Sequence, residues 1–243
     1  MGERGAAKLD SRVSAVRRLL AEALARHERL TYASSLGFEA IVLTDLIASH
    51  APAIDIFTID TGRLHEETYG LLAQLQRRYA NRIRVIYPDG TALERLVSRQ
   101  GVNGFYASIE ARLECCRVRK VEPFKRAIAG FPAWITGIRR RHSADRANAA
   151  AFEWDREHGL YKLSPLLDWS DEDIWHYIRA HQLPYNRLHD RGFPSIGCAP
   201  CTRAVGAGED FRAGRWWWEQ PGSRECGLVQ KLRPAIPLVV AQT

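Results

Sequence analysis

At 243 residues, 46% hydrophobic and 26% charged, the chain can bury a full core in one domain with at most a small appendage. It contains no run of about 18 uncharged apolar residues, and its opening, M-G-E-R-G-A-A-K, lacks an apolar signal region; this excludes a membrane-spanning helix and points to the cytoplasm. Lys plus Arg (35) exceed Asp plus Glu (28), and the net charge of +7 suits a polyanionic partner: a nucleotide, a sulfated or phosphorylated small molecule, or RNA.

Apolar positions at helical spacing (Val13, Val16, Leu20, Leu24) predict a helix over 11–29. A short strand, Leu30–Ser34, runs into S-S-L-G-F-E-A and a helix through Ile47. Ala53–Asp60 is β-branched and apolar, a buried strand, followed by T-G-R-L-H and a helix through Tyr79. Arg82–Tyr87 reads as a third strand, Ala92–Arg99 as a helix, and Ser108–Ala129 as a helical stretch. Ala133–Ile138 is the fourth strand. Ser170 and the acids at 171–173 form a capping box opening a helix over Ile174–His181. Strands alternating with helices imply a doubly wound, mostly parallel α/β sheet with ligands at the carboxyl ends of its strands. After Pro200 the apolar pattern fades, and 203–243 reads as a loosely packed tail.

Three strand-to-helix turns carry groups suited to an anion. The first, Ser34-Ser35-Leu36-Gly37, offers hydroxyls and free N–H groups at a helix start. It matches neither G-x-G-x-x-G nor the P-loop pattern. The second, Asp60-Thr61-Gly62-Arg63, places an acid, a hydroxyl and a cation at the rim. The third, from Gly137 through Arg139 to Ser143, is basic, with Arg146 close behind.

Four of the five cysteines form two clips, Cys115-Cys116 and Cys198-Ala199-Pro200-Cys201, and Cys226 stands alone. Four thiolates are the number that tetrahedral zinc or a cubane iron–sulfur cluster requires, which would leave one spare for a nucleophile. Buried free thiols and a redox C-x-x-C pair are the competing readings. Thiols stay reduced in the cytoplasm, so a disulfide framework is disfavoured.

Together these pieces resemble the assimilatory sulfonucleotide reductases, specifically the cluster-containing adenylyl-sulfate (APS) reductases. The matching segments are S-S-L-G-F-E-A at 34–40, I-D-T-G-R-L-H-E-E-T-Y at 59–69, C-C-R-V-R-K-V-E-P at 115–123 and W-I-T-G-I-R-R at 134–140. Further matches are G-C-A-P-C-T-R at 197–203, R-A-G-R-W-W-W-E at 212–219 and E-C-G-L at 225–228. The resemblance implies an adenine-nucleotide α-hydrolase-like fold. Residues 1–202 would form the sulfonucleotide-binding α/β domain with the iron–sulfur site, and 203–243 a flexible segment carrying the nucleophile. It makes Cys115, Cys116, Cys198 and Cys201 ligands of one 4Fe–4S cluster per subunit. Cys226 would attack the sulfate sulfur of APS, expel AMP and form an S-sulfocysteine from which reduced thioredoxin (or glutaredoxin) releases sulfite, in assimilatory sulfate reduction and cysteine biosynthesis. Substrate contacts would come from Ser34, Ser35, Gly37, Ile59, Thr61, Gly62, Lys120, Gly137, Arg139, Arg146, Arg212 and Arg215. The substrate is then a small molecule, with no nucleic-acid or membrane partner, and a homo-oligomer is compatible. The chemistry agrees with the residue types: clustered cations offset the repulsion between a thiolate and an anionic sulfate, and they raise the thiolate fraction.

Two departures stand out. Val229 occupies the place where the family commonly has His, and the chain then continues for fourteen residues, Gln230 to Thr243. Phe38 stands where a small residue is usual and is expected to reshape the nucleotide site. Packing accounts for Trp216-Trp217-Trp218. The alternatives are a phosphoadenylyl-sulfate reductase and an iron–sulfur tRNA-thiolating enzyme. The thiolating enzymes normally carry an S-G-G-x-D-S loop, which S-S-L-G-F-E lacks. A zinc-stabilised nucleic-acid module would normally use two C-x-x-C clips.

Overall fold

The computed structural model describes residues 3–140 and 149–220. Helix α1 (Glu3–Arg26) leads into β1 (Leu30–Ser34), α2 (Phe38–His50), β2 (Asp55–Ile59), α3 (Glu66–Arg78), β3 (Ile83–Ile86) and α4 (Gly90–Gln100). Then come α5 (Ile109–Cys116), α6 (Glu122–Ile128), β4 (Ala133–Ile135), β5 (Phe152–Asp155), β6 (Leu160–Leu163) and α7 (Asp171–Ala180). A π turn, Arg117–Val121, joins α5 to α6.

The six strands lie in the order β3-β2-β1-β4-β6-β5, all parallel except β5, which pairs antiparallel with β6 at the edge. This is the doubly wound, mostly parallel sheet expected from the alternation. From β1 the chain moves outward to β2 and β3, and it later returns to β4 on the other side of β1. The connections therefore diverge between β1 and β4, the place where such sheets leave a crevice. Helix α2 is buried from Phe38 to Ile47, with Ile41, Val42, Leu43, Leu46 and Ile47 in the core and Asp45 among them. It lies between the sheet and a roof made by α1 (Val16, Leu20) and α7 (Ile174, Tyr177, Ile178). On the opposite face Phe57 packs with Phe124, Ala127 and Ile128 of α6.

Asp45 is buried within α2, and its carboxylate accepts from the Tyr79 hydroxyl at 2.7 Å and the Tyr177 hydroxyl at 2.8 Å. The capping box is present: the Ser170 hydroxyl accepts from Asp173 N–H at 3.1 Å, and Ser170 N–H donates to the Asp173 carboxylate at 3.0 Å. Strands β5 and β6 have no counterpart in the sequence reading. Each is four residues long, and Glu153, Asp155 and Lys162 interrupt the apolar pattern. β4 stops at Ile135, short of the expected Ile138.

Loose packing from residue 203 onward does not hold for 203–220. Ala213, Arg215, Trp216 and Glu219 are buried, and Trp216 N–H donates to the Cys201 carbonyl at 3.1 Å. One aromatic anchor and paired charges do there what a periodic apolar pattern does elsewhere. Cys226, Val229 and the terminal extension lie outside the described residues, as does Arg146. Among the described residues, no helix is long and apolar enough to cross a membrane.

His189 lies in the short turn Arg187–Arg191, edge-on to Phe38 and Trp175, and its Nδ1 donates to the Phe193 carbonyl at 2.8 Å. Burial holds this imidazole below its ordinary pKa, against the pull of the Phe193 carbonyl and the acids Glu39 and Asp190. Burial lowers His65 and His50 in the same way. Below about pH 6.5 the unfolded chain takes up protons that the folded one resists, so stability is full above that pH and falls as acid is added. Urea titrations from pH 7 to pH 5 should show this loss. His189→Asn, whose amide can keep the bond to Phe193, should reduce it; an unchanged slope would remove His189 from the account.

Candidate active site

The crevice between β1 and β4 is built from the turns that follow them. After β1, Ser34 is buried and its hydroxyl shares a 3.4 Å hydrogen bond with that of Thr44, while Ser35 is exposed. Leu36 takes a left-handed conformation (φ 58°), and Gly37 caps α2 without a side-chain acceptor for the helix's first N–H groups. A helix start of that kind can hold an anion. Gly137, after β4, lies against the start of α2: a Cβ there would be 3.8 Å from Glu39 Cβ. Arg139 is fully buried below this turn. Its Nη2 donates to Glu39 at 2.7 Å and to Asp171 at 2.6 Å, and its Nη1 to the Trp169 carbonyl at 3.2 Å. After β2, with Ile59 half-buried at its end, Thr61 is buried and Gly62 is left-handed (φ 69°). Gly62 N–H donates to Asp60 at 2.8 Å.

Beyond these turns the two cysteine clips meet. All four thiols line one pocket of about 500 Å³, open to solvent, with Thr61, Arg63, Phe105, Arg112, Arg119, Lys120, Pro200, Arg215 and Trp216. Arg112, Cys115, Cys116, Arg119 and Lys120 fall at helical positions i, i+3, i+4, i+7 and i+8, which makes them one stripe. Ser108 starts that stripe by accepting from Ala111 N–H at 3.1 Å, and the π turn widens it between the cysteines and Lys120. The second clip closes on a short turn, Cys201 N–H to the Cys198 carbonyl at 3.0 Å. It docks on the β2 loop through Ala199 N–H to the Arg63 carbonyl at 2.8 Å and the Thr61 hydroxyl against Cys198 Sγ at 3.2 Å.

Electrostatics confirm the convergence. Burial pushes the Cys201 thiol up; Cys198, Cys116 and Cys115 add to the shift and Arg215 opposes it. Burial also raises Cys115, with Arg119 opposing and Cys198 adding. The pocket wall has five cations and no carboxylate. Arg119 donates to the Thr61 carbonyl at 2.7 Å, yet its buried Nε has no hydrogen-bond partner among the described residues. Four gathered thiols with a cationic rim fit an electron-rich group held by thiolates. Four sulfurs around one tetrahedral zinc would stand about 3.8 Å apart, given a Zn–S bond of about 2.3 Å. Among the described residues, no three Cys, His, Asp or Glu side chains make such a single-ion site. Four thiolates are equally the number that a 4Fe–4S cluster takes.

Of the residues expected from the sequence, the structure brings Thr61, Lys120, Arg215 and the four cysteines to this pocket. Ser34, Ser35, Gly37 and Gly137 lie at the neighbouring crevice, with Ile59 and Gly62 between the two. Arg212 is half-buried with its guanidinium 6.0 Å from the Trp216 ring, and neither it nor Arg139 lines the pocket. Cys226 and Arg146 lie outside the described residues. Phe38 does not reshape the nucleotide crevice. It is buried between α2 and α7, stacked on Trp175 with 5.5 Å between ring centres. The sequence reading missed Arg112, Arg119 and Glu219; the spacing from the cysteine pair would have found the two arginines. Trp216 is buried against Cys201 and Phe105, Trp218 packs on Tyr106, and Trp217 is exposed.

Residues 29–204 match the sequence profile of the phosphoadenosine phosphosulfate reductase domain. The adenosine 5′-phosphosulfate reductase of Allochromatium vinosum is 51% identical over 223 residues, 92% of this chain and 87% of that protein. The protein of that name from Neisseria meningitidis serogroup B is 49% identical over 229 residues, 94% of this chain and 93% of its own. Among solved structures, the phosphoadenylyl-sulfate reductase of Candida auris in a phosphate complex aligns with a TM-score of 0.67 at 24% identity, covering 84% of this chain and 98% of that one. The FMN adenylyltransferase of Candida glabrata, in complex with FAD and pyrophosphate, aligns at 0.60 and 15% identity, covering 90% and 75%. These two structural likenesses bear on the fold alone.

The burial of Arg139 makes a specific stability prediction. Arg139→Ala strands the Glu39 carboxylate and should lower the unfolding free energy by about 3–5 kcal/mol. Arg63→Ala, at the rim, should cost no more than about 1 kcal/mol. Denaturant titration of both variants checks the contrast, and equal losses would contradict it.

Proposed function

The chain belongs to the phosphoadenosine phosphosulfate reductase family, and from that membership and the cysteine pocket we propose that it reduces APS to sulfite and AMP. The observation that carries this reading is the meeting of two distant cysteine clips on one cation-lined pocket beside the crevice of a nucleotide-type sheet. Relatives about half identical over nearly the whole chain carry the name of that activity.

In this reading the adenylyl group sits in the β1–β4 crevice against Ser34, Ser35, Gly37 and Gly137, with the α2 N-terminus toward the α-phosphate. Ile59, Thr61 and Gly62 border it from the β2 loop. Lys120 and Arg215, joined by Arg146 and Arg212, neutralise the phosphosulfate, so that an anionic nucleophile can approach. Arg139 supports the crevice from below through Glu39 and Asp171. The Cys226 thiolate attacks sulfur; the new S–S bond forms as the bond to the phosphate oxygen breaks, and AMP leaves with that electron pair. One thiol of reduced thioredoxin then attacks Cys226 Sγ, sulfite departs, and the second thioredoxin thiol frees Cys226 by closing a disulfide. Cys115, Cys116, Cys198 and Cys201 hold a 4Fe–4S cluster, which when bound supplies a charge centre coupled to the surrounding cations. In this reading the thiols are kept reduced, and the reductant supplied, in the cytoplasm.

Anaerobically purified protein should contain about four iron and four sulfide per chain; stoichiometric zinc would refute the cluster.

Cys226→Ser should retain the cluster and lose turnover entirely. Wild type mixed with APS and no reductant should gain one SO3 on the Cys226 peptide by mass spectrometry. An active serine variant, or an adduct on another cysteine, would reassign the nucleophile. Matched assays should also favour APS over phosphoadenylyl-sulfate, and equal turnover would overturn that preference.

A further inference from the structure

One guanidinium joins the cysteine pair to the chain that leads to Cys226. Arg112 is fully buried on α5, and its Nε and Nη2 each donate to a different carboxylate oxygen of Glu219 at 2.8 Å. The Glu219 side chain is buried as well. The same guanidinium lies 4.8 Å from the centre of the Trp216 ring and borders the Cys116 thiol. Burial works against its charge, and Glu219 more than restores it. Arg215, whose guanidinium lies 4.6 Å from the same ring, faces the pocket over Gly197, where an added Cβ would come within 2.2 Å of Nη2. Arg112, Arg212 and Arg215 thus crowd one indole, and Glu219 supplies the carboxylate in two-point contact with this group of like charges.

We propose that Glu219 is a positioning residue: its clasp on Arg112 fixes the 212–219 segment over the cysteine pocket, which places Arg215 for the substrate and tethers the chain toward Cys226 at a short distance. The proposal rests on the APS-reductase reading above. The segment has other fastenings, Trp216 in its pocket and Arg203 N–H to the Gly214 carbonyl at 3.0 Å. A two-point charged contact adds register and orientation to these. Cys226 follows Glu219 by seven residues, a reach of at most about 25 Å. With Trp216 still anchored and Glu219 released, the tether would be ten residues. Effective concentration falls roughly as the −3/2 power of tether length, so Cys226 would meet the substrate about 1.7-fold less often.

The test is Glu219→Gln, which keeps the volume and removes the charge. Iron and sulfide content should match wild type, while hydrogen exchange across 212–219 accelerates. The KM for APS should rise about tenfold, since a charged substrate contact is misplaced. The single-turnover rate of Cys226 S-sulfonation, per cluster, should fall about twofold. A pair that served folding alone would lower thermal stability and yield but leave KM, exchange across 212–219 and the per-cluster rate unchanged, and that outcome overturns the proposal. Should Glu219→Gln not fold, the double variant Arg112→Leu/Glu219→Leu removes both charges and keeps apolar volume. The same kinetic changes are expected of it, and wild-type kinetics would be equally fatal. Failure of the underlying reading would appear in wild type itself, as no sulfite from APS or no adduct on Cys226.

Discussion

A guanidinium withdrawn from water must be met by acceptors, and two fully buried arginines draw carboxylates to both halves of the site. Arg139 comes from the turn after β4 and draws in Glu39 from α2 and Asp171 from α7. It thereby closes the sheet at the point where its connections diverge. Arg112 does the corresponding work on the other side, tying α5 to the C-terminal segment through Glu219. Breaking such a pair costs more than forming it gains, because the partner charge is left buried. The crevice and the pocket are therefore held by contacts whose geometry is specific, and the apolar core supplies the bulk of the folding energy.

The pocket inverts the usual economy of buried charge. Burial and neighbouring thiols push Cys115 and Cys201 up there, while Arg63, Arg119, Lys120 and Arg215 concentrate positive charge around the four cysteines. Neither set is at ease alone. In the proposed function a thiolate-ligated, electron-rich group would satisfy both, and an anionic substrate would meet cations already in place. No reorganisation is then needed as charge develops, which is where preorganised sites gain most.

Much of this was legible in the chain. The alternation of β-branched runs with amphipathic stretches gave the parallel sheet, because the periods 2 and 3.6 are local properties of backbone geometry. Ser170 with Asp173 gave a helix start for the same reason. The unusual clips, C-C and C-x-x-C, marked in advance the four thiols that the fold brings to one pocket. The five-residue stripe from Arg112 to Lys120 was equally local and could have been read from the position of the cysteine pair.

What the sequence by itself determined is therefore the class of the sheet, the turns at its carboxyl edge and the identity of the donor atoms. Only the tertiary structure decided which cations face the pocket. Arg139 and Lys120 look alike in the sequence, yet one is spent on Glu39 and Asp171 and the other lines the site. Phe38, adjacent to the anion cradle in sequence, turns into the α2–α7 interface and stacks on Trp175. Strands β5 and β6 were invisible because four residues carry too little pattern, and pairing with β4 and with each other supplies what local preference does not. The 203–220 segment read as loose because its anchors are one tryptophan and one glutamate whose partners lie up to a hundred residues away. Burial and long-range charge pairing are properties of the packed chain, and no local window of sequence contains them.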